Sequence, residues 1–239
     1  MRKLSKKQQG GFSLIELMIA MTVTLVILGI AVTLLARSLN VRTRSNDNVD
    51  SLADVERALN IMSREIAQAG FNLQDNGIVA ADSITDGNNN STIRIRANLN
   101  KFDTSASPAA RAGIGTPGED AGEDVKYYIF PVPANNSSLL ARYDALGDAN
   151  GVPTVLANRL DSLHIHYFAQ KVTYSTAGCD ITAPSAGEVA SPALAQYVVI
   201  AVCVQQDAVG TPGSPGYTPA GPMLLTTDVT LRNANLTTY

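Results

Sequence analysis

The 239-residue sequence has no tryptophan, two cysteines and two histidines, and its aromatic content is 5%. Cys179 and Cys203 are far apart, and neither CxxC nor HExxH occurs, so the spacing of a structural zinc site is missing. There is no GxSxG elbow and no P-loop, which leaves nucleophilic and nucleotide-driven catalysis without a motif. Positive charge is scarce in the body. From Phe71 onward nine basic residues face fifteen acidic ones, which opposes a nucleic-acid footprint. The composition of a disordered chain is missing too, since 45% of residues are hydrophobic. These absences lead to the expectation of a non-enzyme with no cofactor and no favoured nucleic-acid partner. The length allows one large or two small domains.

What is present is concentrated at the amino end. Arg2, Lys3, Lys6 and Lys7 put four positive charges on the first eleven residues of a chain whose net charge is -3. Leu17 to Ala36 then runs for twenty residues without a charge. At about 1.5 Å per residue such a helix crosses a bilayer core of roughly 30 Å. A cleaved secretory signal would have an apolar region of about 7–15 residues followed by a small-residue site, and no clear one follows here. An ordinary anchor explains the length but leaves Glu16 unexplained. That carboxylate sits at the edge of the run, four residues after Phe12. A membrane carboxylate costs about 2.5–3.5 kcal/mol at mid-span and marks function; the bland alternative is a side chain snorkelling to the headgroups. Charge settles orientation poorly, because Arg37, Arg42 and Arg44 follow the span.

The segment Lys6-Lys7-Gln8-Gln9-Gly10-Gly11-Phe12-Ser13-Leu14-Ile15-Glu16 resembles the class III signal of type IV prepilins. The resemblance implies cleavage between Gly11 and Phe12 by prepilin peptidase on the cytoplasmic side. It implies N-methylation of Phe12 and an assembly role for Glu16, which would neutralise the Phe12 amine of a neighbouring subunit. Opposite charges attract strongly in low dielectric, so such a pair both offsets desolvation and sets register. It further implies an inner-membrane, single-pass protein with a periplasmic carboxyl-terminal domain, later incorporated into a pilus. Cys179 and Cys203 would then share an oxidising compartment and are expected to pair. The alternative is two free thiols with Cys203 buried as a small apolar side chain.

Beyond the span, Leu52, Val55, Leu59, Met62 and Ile66 form the stripe of an amphipathic helix, and Gly70 suits its end. The expected divisions are a leader at 1–11, a transmembrane helix segment at 12–36, an amphipathic continuation at 37–70 and a β-rich domain at 71–239. A single helix is expected from Phe12 to Ala69; the polar stretch Asn40 to Asn48 is where a break, if any, would fall. Strands are expected at Ser91–Ala97, Asp124–Phe130, Leu139–Tyr143, Thr154–Ala157, Leu160–Phe168, Gln196–Val204 and Leu224–Leu231. Loops are expected at Asp86–Asn90, Ser105–Gly122, Thr176–Pro192 and Gly210–Pro222. A long helix followed by an antiparallel sheet is an α+β arrangement, which is also the pilin fold. The helix end at Glu56–Gly70, the segments 140–143 and 156–167, and the closing 228–233 are similar to the PilW group of minor pilins. They are similar also to the J-type minor pseudopilin of type II secretion. Partners implied are other minor pilins, the major pilin, the peptidase and the inner-membrane assembly machinery. Three roles stay open: a minor pilin, a minor pseudopilin, and an adhesive tip subunit.

Other constellations read as structural. Gly113 to Gly118 matches GxGxxG, but Glu119, Asp120, Glu123 and Asp124 follow and would repel a pyrophosphate. Those carboxylates, or Asp144, Asp148 and Asn150, offer oxygen ligands without EF-hand spacing. His164 and His166 share a strand face but show no third metal ligand, so no metal site is assigned.

Overall fold

A computed structural model of the chain describes residues 12–73, 75–99, 121–132, 137–145, 147–148, 151–182, 184, 187–214 and 216–234. Helix α1 (Leu14–Gln68) runs unbroken for 55 residues. No break occurs at Asn40–Asn48, the stretch where the sequence left one open. Neither Gly nor Pro lies between Ile30 and Ala69, and the Asn, Ser and Thr residues each cost less than about 0.7 kcal/mol in a helix. Asn48 is buried and grips the backbone of Asp207 twice: its Nδ2 donates to the carbonyl at 3.0 Å and its Oδ1 accepts the amide at 3.1 Å.

The chain divides into two compact units at Asn46/Asp47. In the first, every described residue from Phe12 onward is exposed. Among the described residues, α1 is the one helix long and apolar enough to cross a membrane.

In the second unit, the α1 stripe of Val55, Leu59, Met62 and Ile66 is buried, as the 3,4 spacing anticipates, and Ala58 joins it. It packs on a six-stranded antiparallel sheet. The strands are β1 (Ile93–Arg96), β2 (Asp124–Val132), β3 (Ser137–Asp144), β4 (Thr154–Phe168), β7 (Tyr197–Gln206) and β8 (Gly221–Thr230), in that spatial order. The short pair β5 (Ser175–Ala177) and β6 (Asp180–Thr182) forms a separate hairpin. The described architecture is α+β and pilin-like.

Two expectations are corrected. Thr154–Ala157 and Leu160–Phe168 are not separate strands but one strand of 15 residues. Its pairing with β3 shifts register between Ser138 and Leu140 and again at Ala141, and Arg159 takes φ 59°. A bulge interrupts the alternation without ending the strand, which makes one strand read as two. The loop expected at Thr176–Pro192 contains most of hairpin β5–β6. Its strands have three residues each, too few to carry a periodic signal.

The hairpin explains the composition of β7. Val198, Ile200, Val202 and Val204 belong to the core that includes α1. Tyr197, Val199 and Ala201 belong to a second core with Phe168, Val172 and Ile181. A strand covered on both faces loses its polar alternation, which is why YVVIAVCV is continuously apolar.

Candidate functional site

Gly11 and the leader lie outside the described residues. Phe12 begins the described chain and is exposed, as is Glu16 in the first turn of α1. The Ser13 amide donates to Glu16 Oε2 at 3.1 Å, and the Leu17 amide donates to the Ser13 carbonyl at 3.2 Å. This is half of a capping box, in which a glutamate three residues into the helix reaches back to the cap amide. Ser-x-x-Glu spells that device at 13–16, a signal the sequence reading passed over. Glu16 thus sits at the positive end of the helix dipole and has a local partner within its own chain.

Cys179 and Cys203 are bonded at an S–S distance of 2.05 Å. The bond ties the turn of hairpin β5–β6 to β7. Asp161 lies beside the two sulfurs, which are already spent on each other. The histidines help hold the same hairpin. His166 Nε2 contacts Asp180 Oδ1 at 2.7 Å and its Nδ1 contacts Glu188 Oε1 at 2.6 Å. His164 Nδ1 stands 3.6 Å from Asp180 Oδ2. Burial lowers the His166 pKa, but its hydrogen bonds to the Glu188 and Asp180 carboxylates and their charges outweigh it, so the net shift is upward.

The carboxylates flagged in the sequence are divided among separate duties. Glu123 accepts the Leu99 amide at 2.7 Å. Asp144 accepts amides of Gly122 at 2.6 Å and Gly147 at 3.0 Å, and Asp148 accepts that of Asp144 at 2.7 Å. Asp124 pairs with two arginines. Gly113 to Gly118, Glu119, Asp120 and Asn150 lie outside the described residues.

The sequence reading also missed a polar bridge from helix to sheet. Glu65 of α1 accepts the Tyr127 hydroxyl and pairs with Arg142 at 3.0 Å. Burial first, then the Glu65 charge, pushes the Tyr127 pKa far up. Asn233 donates to the α1 end carbonyls, at 3.1 Å to Ala69 and 3.3 Å to Gln68. These partners are too distant in sequence for any local pattern to reveal them.

Residues 6–32 match the family described as the prokaryotic N-terminal methylation motif. No curated protein and no solved structure matches the chain. The matched stretch contains Gly11, Phe12 and Glu16 and opens the apolar helix. The chain therefore carries a class III prepilin signal at the head of a membrane-anchoring helix and an α+β, pilin-like body. That motif is the one borne by type IV pilins and pseudopilins.

Proposed function

We propose that the chain is a minor pilin of a type IV pilus, PilW-like, whose mechanism is assembly rather than catalysis. The observation that carries the reading is the methylation motif opening an apolar helix whose later turns seat a β-rich domain. On this reading prepilin peptidase cuts between Gly11 and Phe12, and the new Phe12 amine is methylated. Leu17 to Ala36 holds the protein in the inner membrane, with the carboxyl-terminal domain in the periplasm. Glu16 then exchanges its contact with the Ser13 amide for the Phe12 amine of a neighbouring pilin. The protein joins other minor pilins and the major pilin to prime or cap the filament. Deleting the gene and imaging pili tests the role: pili should be lost while protein secretion stays normal. Lost secretion with normal pili would instead make it a minor pseudopilin. Mass spectrometry of the mature amino terminus tests the processing, and a terminus other than Phe12 would overturn it.

A further inference from the structure

Among the described residues, hairpin β5–β6 and its small core cover the face of the sheet turned away from α1 over β4 and β7, with Leu224 of β8 packed alongside. Over β1, β2 and β3 the described residues leave a hollow of about 530 Å³, within the size range of small-molecule sites. Thr92, Arg94, Asp124, Lys126, Tyr128 and Tyr143 line it. Strand register builds it: Arg94 lies opposite Lys126, and Lys126 opposite Tyr143. Tyr128 follows two residues after Lys126 and so points to the same face.

The floor is rigid. Arg94 forks onto Asp124 with two bonds of 2.7 Å and reaches Asp82 with a third at 2.7 Å, while Arg96 binds Asp124 at 3.1 Å. The other liners have polar atoms to spare. Among the described residues, Thr92, Lys126, Tyr128 and Tyr143 make no side-chain hydrogen bond and no ion pair. Elsewhere on this sheet the hydroxyls of Tyr127 and Tyr197 each donate to a carboxylate, Glu65 and Asp228. The hollow therefore presents three hydroxyls and two aromatic rings without side-chain hydrogen bonds, and the Lys126 ammonium without an ion pair, above paired arginines and carboxylates; Asp82 attracts Lys126 from the floor and Asp148 lies near Tyr128.

That combination selects among ligands. Aromatic faces take the C–H face of a sugar ring, and hydroxyl groups exchange hydrogen bonds with its hydroxyls. The Arg94 guanidinium is spent on carboxylates, so an acidic ligand group would be met by Lys126. A nucleic acid would need more free cations than one. We propose that this hollow binds a carboxylated sugar, one or two rings in size, of the uronic-acid class. This goes beyond the pilin reading and is independent of it, because sugar binding can fail while assembly persists.

The test is titration calorimetry on the full chain in detergent micelles, with a glucuronate-containing disaccharide, its neutral glucose counterpart, and inorganic phosphate as probes. Expected is saturable binding of the acidic disaccharide, weakened about tenfold or more by Lys126→Gln and retained by Lys126→Arg, as for one charge-assisted contact. Tyr128→Ala should weaken the acidic and neutral sugars alike. Thermal melting of each variant checks that it folds. The proposal is overturned by an absence of saturation, by equal binding of both sugars, or by unchanged binding in Lys126→Gln. It is overturned too if phosphate displaces the sugar, which would mark a simple anion site.

Discussion

Gly77 holds φ 72° where a Cβ would lie 2.1 Å from the Gly70 nitrogen and 2.3 Å from the Arg96 carbonyl oxygen. Both obstacles are backbone, and the Arg96 carbonyl is already receiving the Gly70 amide that ends α1. Gly77→Ala should therefore lower stability by about 2–4 kcal/mol through strain and displaced backbone. Denaturant unfolding measures it, and an unchanged midpoint would refute the argument. His166 adds a pH dependence. Its folded pKa lies above the ordinary 6.5, so its two carboxylate contacts stabilise fully below about pH 6.5 and are lost as pH rises through the folded value. Stability should fall across that window, and His166→Asn should flatten the fall. A wild-type melting temperature independent of pH from 6 upward would contradict the pairing. The prepilin signal that contains Gly11, Phe12 and Glu16 was legible because it is contiguous. Glu65 and Asn233 were not, since their partners stand tens of residues away.

At the scale of elements, local periodicity carried far. The 3,4 stripe of α1 and the alternation of β1 lie where the pattern puts them. Hairpin β5–β6 escaped because six strand residues cannot hold themselves together. It depends on Cys179–Cys203, His166 and the small core around Ile181. The bond closes a ring of about 25 residues, for which chain entropy gives about 3–3.5 kcal/mol. Reducing it should lower global stability by up to that amount. It should also release hydrogen-exchange protection of β5 and β6 while β4 and β7 keep theirs. Uniform loss across the whole sheet would show that the hairpin is not a local unit.

For the molecule as a whole, the proposed assembly role predicts that membrane insertion and subunit pairing separate at Glu16. It is the one charge between Phe12 and Ala36, so an uncharged substitute should insert at least as well. Glu16→Ala is expected to be cleaved and membrane-bound yet to co-purify poorly with pilin partners; normal co-purification would sink the pairing model. The sequence by itself determined the anchor, the signal, the α1 stripe and the α+β class. Each of these rests on neighbouring residues, whose spacing needs no knowledge of what folds against them. Tertiary structure alone decided that β4 is one bulged strand, that β7 is covered on both faces, and that Glu65 meets Tyr127 and Arg142. It also gathered Lys126, Tyr128 and Tyr143 around one hollow. These depend on register and on contacts closed across long loops, and a pattern that repeats every two or 3.6 residues carries no record of them.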